Sequence, residues 1–408
     1  MNTELSVIIP TCQRNESLAR LLASLERQTL PCDAFEVIVI IDGNAPHTAE
    51  FLKNYKGALR LRFHGVPPSG AGCARNQGAE MANGRILVFL DDDMEAQSGL
   101  LAAHLLAACA GESVGVGNLV TLLPKRAGFL GSGLRIWWER KFEEMRRDGH
   151  RFSYVDLLSG HFSIPARTFA KIGGFDPALN CREDYELGIR LIQAQIRFGF
   201  VQEATAIHHE TENLRKSLDR VMKEGFADVW LARRYPELAR SLAAALLCQT
   251  DLKPFGKRRL IEHVVRNRPR LAEQLLTRIE HLGMRGLWQR GYMFLRKFWY
   301  MQGVCSACPD AKERKMIFSP PANLRKKTVG IIDLQNGMAQ AALELEKIRP
   351  EFARLFHGNQ AIGTIPPEPF ADNIGARHLA PYVREHCGHV FLKAIALDRV
   401  TQYAPVKR

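Results

Sequence analysis

No stretch of this chain approaches the roughly 18 consecutive apolar residues that a membrane-spanning helix requires; the most apolar runs, Leu5 to Pro10 and Glu36 to Ile41, are strand-sized. A spanning segment is therefore not expected. The opening Met1-Asn2-Thr3-Glu4 lacks the basic and apolar regions of a secretory signal, so the protein is expected in the cytoplasm, at most at the inner face of the membrane. Cysteine occurs nine times, an odd number without framework spacing, which suits a reducing compartment. Neither a GxGxxG turn after the first strand nor a GxxxxGK[ST] loop is present, so a Gly-rich loop does not cradle phosphates here. Internal repeats and low-complexity runs are lacking too. The net charge of +13 implies attraction to phosphates or anionic surfaces, yet no aromatic RNA-binding signature accompanies it, and no nucleic acid partner is expected.

What is present describes an ordinary folded protein. Its 408 residues exceed one core, so two domains are expected, one over residues 1–240 and a mainly helical one over 241–408. Leu5 to Ile9 reads as a strand stopped by Pro10, and Glu16 to Arg27 as a helix carrying Leu18, Leu21, Leu22 and Leu25 at helical spacing. Phe35 to Ile41, Leu59 to Phe63 and Arg85 to Leu90 read as further strands, and Ala71 to Met81 as a helix. The alternation predicts an α/β fold, a mostly parallel sheet with helices on both faces. Ligands of such sheets bind beyond the carboxyl ends of the strands. Those ends carry Pro10-Thr11, Asp42-Gly43 and Asp91-Asp92-Asp93.

Three adjacent carboxylates repel one another, and holding them at a buried strand end is costly unless a cation compensates. Hard oxygen ligands completed by a diphosphate suit Mg²⁺ or Mn²⁺. A solvated acidic turn is the other reading, and the triplet alone does not choose between them.

Five ordered segments together resemble a family 2 glycosyltransferase of GT-A fold. They are Ser6-Val7-Ile8-Ile9-Pro10-Thr11, Ile40-Ile41-Asp42-Gly43, Gly72-Cys73-Ala74-Arg75-Asn76-Gln77-Gly78-Ala79, Asp91-Asp92-Asp93, and Gly173-Gly174-Phe175-Asp176 followed by Glu183 to Leu191. The resemblance implies that Pro10, Thr11, Arg14, Asp42, Arg75, Asp91 and Asp92 meet a nucleoside-diphosphate sugar, a UDP-sugar by family habit. It implies a metal held by Asp93 with Asp91, and His208 as a third contact, although a strand-end histidine is as often structural. Asp184, assisted by Glu183, is implied as the base of an inverting transfer; both residues also suit a helix N-terminus for its dipole alone. The acceptor implied is a saccharide or lipid-linked glycan of a surface polysaccharide, lipopolysaccharide or glycolipid. His161 stands where the family often has Asn, which leaves the acceptor open.

Other segments lie outside the resemblance. Trp137 and Trp138 suit either an acceptor wall or packing against the sheet. The basic residues Lys257, Arg258, Arg259, Arg266, Arg268 and Arg270, followed by Trp288, Tyr292, Phe294, Phe298, Trp299 and Tyr300, suit peripheral contact with an anionic membrane or a helical bundle with a solvated face. Cys305-Ser306-Ala307-Cys308 has metal-ligand spacing without a second pair, leaving only Cys387 and His389 to complete a site. Two competing functions are a sugar nucleotidyltransferase, for which the turn after the first strand lacks the basic Gly-rich loop, and a non-enzymatic scaffold or nucleic-acid-binding protein on the same domain.

Overall fold

A computed structural model describes residues 3–111, 114–124, 127–210, 213–249, 269–319 and 327–403. The basic residues from Lys257 to Arg268 fall outside them. Eight strands form one sheet: β1 Leu5–Thr11, β2 Phe35–Asp42, β3 Leu61–Val66, β4 Ile86–Leu90, β5 Met94–Ala96, β6 Val114–Leu122, β7 His161–Pro165 and β8 Phe198–His209. Their spatial order is β3-β2-β1-β4-β7-β6-β8-β5. The first four are parallel, β7 lies antiparallel between β4 and β6, and β8 runs parallel to β6. The sheet is thus mixed, and its parallel half is the half that sequence alternation reveals.

Helices cover both faces: α1 Asn15–Leu25, α2 Pro46–Lys53, α3 Ala71–Met81, α4 Leu100–Cys109, α5 Phe129–Arg146, α6 Ala166–Ile172, α7 Glu183–Gln193 and α8 Leu214–Arg234. In α1 the predicted leucines Leu18, Leu21, Leu22 and Leu25 are all buried on the sheet. β1 and β2 are buried on both faces, which explains their unbroken apolar sequence. α3 lies close to the sheet because Gly78 has no side chain: a Cβ there would stand 2.5 Å from Ile8. Phe89 stacks on Phe162 at 4.7 Å between centroids and meets Phe169 and Phe175, so the core joins β4, β7 and the loop before α7.

Beyond residue 240 the helices Pro269–His281 and Arg285–Ala307 pack back on the sheet domain. The second crosses α8 in backbone contact, since Cβ atoms on Gly225 and Gly303 would meet Tyr300 O and Met222 O. One hydrophobic cluster accordingly takes Tyr154, Ile189 and Val229 together with Tyr300 and Val304. Three last strands, β9 Val329–Asp333, β10 Phe352–His357 and β11 Gln360–Ile365, form a separate sheet covered by the helix Met338–Ile348. Among the described residues no helix is long and apolar enough to cross a membrane.

Candidate active site

The parallel register sets the ends of β1, β2 and β4 on one edge, and the side chains there are already engaged with one another. Thr11, almost wholly buried, donates its hydroxyl to Asp92 Oδ2 at 2.7 Å. Arg14 donates to Asp92 Oδ1 at 3.0 Å and to Asp93 Oδ2 at 2.9 Å. Burial pushes the Asp92 carboxyl up to about 6, and its neighbours Asp93 and Asp91 add to the rise against the pull of Thr11 and Arg14. Asp42 accepts from Ser69 N at 2.8 Å and Gly70 N at 3.1 Å, and so fixes the loop that leads into α3.

Arg75 is the hub. It lies on α3, is 2% exposed, and donates Nη2 to Asp91 Oδ1 at 2.6 Å and Nη1 to Glu183 Oε1 at 3.3 Å. Ser159 also donates toward Glu183, at 3.4 Å. The turn after β4 and the N-terminus of α7 are therefore joined through one guanidinium, although 108 residues separate Arg75 from Glu183. Asp184 follows directly and keeps part of its surface open to solvent. Burial and then the charge of Glu183 push its carboxyl up to about 6, while Arg182 and Arg220 act in the opposite direction. Arg182 itself holds the strained left-handed conformation, φ +62°, at the N-cap of α7. Asp228 at 3.4 Å, Glu224 at 3.6 Å and the Tyr185 ring at 4.3 Å keep it there. Sequence reading missed Ser159, Arg182, Glu224 and Asp228, because these contacts bring the loop before β7 and the helix α8 to the N-terminus of α7 from distant parts of the chain.

On the other side of the turn, His208 Nε2 faces Asp93 Oδ1 at 3.8 Å, too far for a hydrogen bond. Asp93 Oδ1 is buried and accepts no hydrogen bond. Burial would raise the Asp93 carboxyl, but His208 and Arg14 outweigh it and hold it down; in return Asp93 raises His208 against its own burial. An orphaned carboxylate oxygen facing an imidazole nitrogen fits two ligands of a divalent ion, whose donors stand about 2.0 to 2.2 Å from it. Asp91 is turned to Arg75, and among the described residues no group of three His, Cys, Asp or Glu side chains is gathered to hold a metal. His209 pairs with Glu95 at 3.0 Å instead. Cys308 and Cys387 are buried in different clusters, so the Cys305/Cys308 pair gains no partner from Cys387.

A cavity of about 770 Å³ opens beside Arg14, bounded also by Gln13, Glu16, His47 and Lys216, so that two basic side chains and one carboxylate border it. Trp138, half-buried, approaches the His208 ring at 6.3 Å between centroids, whereas Trp137 is half exposed. His161 does not face the open site: it is fully buried with Nε2 3.1 Å from His104 Nε2, and burial pulls it down to about 3. Gly160 accepts the Asp91 amide at 3.0 Å, and a Cβ on it would stand 2.6 Å from Asp91 Oδ2. Gly160→Ala should push Asp91 off Arg75 and lower turnover about 10- to 100-fold; steady-state kinetics on this variant check it.

The arrangement defines a class: an α/β domain with a carboxylate-lined, strand-end site, joined through Arg14 to a neighbouring cavity. Over residues 6–165 the chain matches the profile of the family described as glycosyl transferase family 2. It is 32% identical over 218 residues to validoxylamine A glucosyltransferase of Streptomyces hygroscopicus subsp. limoneus, covering 46% of this chain and 47% of that protein. To YfnE of Bacillus subtilis (strain 168), an uncharacterized glycosyltransferase, it is 26% identical over 265 residues, covering 53% and 67%. The chain thus spans about half the length of the first of these relatives. The S. aureus TarS 1-349 structure with UDP is loosely similar, with a TM-score of 0.42 at 15% identity over 75% of this chain and 92% of that one.

Proposed function

We propose that the protein is an inverting glycosyltransferase that moves a sugar from a nucleoside diphosphate, UDP by preference, to an acceptor hydroxyl of a surface polysaccharide, lipopolysaccharide or glycolipid. The observation that supports this reading best is the Arg75 bridge, which sets donor-side Asp91 and the Glu183-Asp184 pair on opposite sides of one cation. Asp184 takes the acceptor proton as the acceptor oxygen bonds to the anomeric carbon from the face opposite the diphosphate. The bond to the diphosphate oxygen breaks in the same step, and the charge left on the diphosphate falls beside Arg14 and Lys216. A divalent ion, Mn²⁺ or Mg²⁺, held by Asp93 and His208 would supply further neutralisation of that leaving group. Trp138, beside His208, offers a face for the acceptor sugar.

Titration of UDP with and without Mn²⁺, followed by nucleotide release from a panel of nucleotide sugars, tests the reading. Mn²⁺ should tighten UDP binding to the wild type and have no such effect on Asp93→Asn. Equal affinity with and without Mn²⁺ in the wild type removes the ion from the proposal. Failure of every nucleotide sugar to turn over with saccharide acceptors removes the transfer.

A further inference from the structure

The helices Pro269–His281 and Arg285–Ala307 form a hairpin around Gly283, whose φ is +70°. One stripe of the first helix, Ala272, Leu276 and Ile279, packs inward with Leu130, Leu218, Trp288 and Leu295. The two arms touch closely, since a Cβ on Gly291 would stand 2.7 Å from Leu276. Inward packing accounts for that stripe and leaves a second one unexplained. Leu271, Leu275 and Leu282, spaced to lie on one outer face, are 50%, 58% and 72% exposed. Met284, Leu287 and Met293 carry the exposed apolar surface around the tip and along the other arm. Single exposed leucines are ordinary, but Leu271, Leu275 and Leu282 on one face, with Met284 at the tip beside them, mark a contact surface.

Charge identifies the partner. Arg270, Arg278, Arg285, Arg290, Arg296 and Lys297 are exposed on the same hairpin. The only carboxylates between residues 269 and 300 are Glu273 and Glu280, and both are drawn inward. Glu273 pairs with Arg215 at 2.9 Å, and Glu280 accepts from the Phe129 amide. The outer surface therefore offers leucines among cations. A second copy of the same face would oppose cation to cation, and a nucleic acid would leave the leucines in water. An anionic bilayer satisfies both, with apolar side chains at the acyl boundary and arginines among the headgroups.

We propose that this hairpin seats the protein on an anionic phospholipid bilayer. The inference deepens the transfer reading by naming the surface on which the acceptor is met, and its test is independent of turnover. The seat is tied to the site through Glu280 at the start of α5 and Arg215 at the start of α8. A cavity of about 460 Å³ lined by Leu130, Glu210, Asn213, Thr277 and Trp288 lies between the hairpin and the His208 side, where Glu210 stands 4.0 Å from His208. A glycan anchored in the bilayer would approach through that side.

The full chain should cosediment with vesicles containing phosphatidylglycerol and not with pure phosphatidylcholine vesicles, and the binding should weaken as salt rises. Leu275→Glu with Leu282→Glu, and separately Arg285→Glu with Arg290→Glu, should each weaken vesicle binding on the order of tenfold or more. UDP affinity, which involves neither pair, should stay at the wild-type value, and it fails independently if the transfer reading is wrong. Wild-type protein that ignores phosphatidylglycerol vesicles, or variants that bind them as the wild type does, would overturn the proposal. So would a concentration-dependent dimer that Leu275→Glu dissolves, since it would assign the face to a second copy.

Discussion

Asp184→Asn is expected to lower turnover by roughly two to four orders of magnitude while leaving UDP affinity unchanged. The residue stands, partly buried, at the N-terminus of α7, next to the Glu183 that Arg75 connects to Asp91. A base is useful when its ionised form is present at working pH and still attracts a proton, and a carboxylate raised to about 6 meets both conditions better than an ordinary one. The sign follows directly. Below about 6 the carboxyl is protonated and cannot accept, so kcat/KM should rise with pH through that value and level off above it.

Asp92 is also raised to about 6, so the wild-type profile alone does not assign the acid limb. Residual turnover of Asp184→Asn does: if its profile is flat across this range the limb belongs to Asp184, and if the limb persists it belongs to Asp92. Glu183→Gln is expected to behave differently, because Glu183 is held by Arg75 and Ser159 and its loss disturbs the bridge rather than the proton acceptor. Wild-type turnover in Asp184→Asn would transfer the base to another group.

The elements legible in the sequence are those whose burial is written locally. β1, β2 and β4 are buried on both faces, so their apolar runs are unbroken, and α1 buries one leucine stripe. α2 escaped because only Thr48 and Leu52 of its eight residues are buried, too few to show a period. β5 is three residues long, directly after the acidic triplet. The insertion of β7 between β4 and β6 depends on pairing Leu90 with His161, which no local pattern encodes. The same insertion explains His161: an interior antiparallel strand buries it against His104, away from the acceptor side where the family pattern would set it. In the C-terminal part, β9 buries alternate residues and the helix Met338–Ile348 buries Ala341 and Leu345 at helical spacing, which is again a local pattern, whereas the hairpin of β10 and β11, with polar residues interleaved, has none as clear.

The candidate site follows the same division. Strand-end position brought Thr11, Asp42 and Asp91 to Asp93 into view, and resemblance added Arg75, Asp184 and His208. What neither supplied is the wiring: Arg14 serves two of the three aspartates and Arg75 the third. The triplet is therefore compensated by two guanidiniums, and the orphaned Asp93 oxygen opposite His208 is what remains for an ion.

That wiring predicts that Arg75→Met is among the most destabilising single substitutions in this domain. The guanidinium is buried, and its removal leaves Asp91 and Glu183 facing each other with no cation between them. Breaking a buried pair from one side costs about 3 to 5 kcal/mol, and Asp91 is 36% exposed at its side chain, so water recovers part of the loss. The lower end, about 3 kcal/mol, is expected, which lowers the midpoint of thermal unfolding by roughly 6 to 12 °C. Arg75→Lys restores a charge but not the fork that reaches two carboxylates at once, so it should recover only part of the stability. Adding Glu183→Gln to Arg75→Met removes one of the stranded charges, and the double variant should then be less destabilised than the sum of the two single ones. Strict additivity would mean that Arg75 and Glu183 do not share this bond energetically, and with it the physical connection between the donor-side turn and the residue beside the base would be lost.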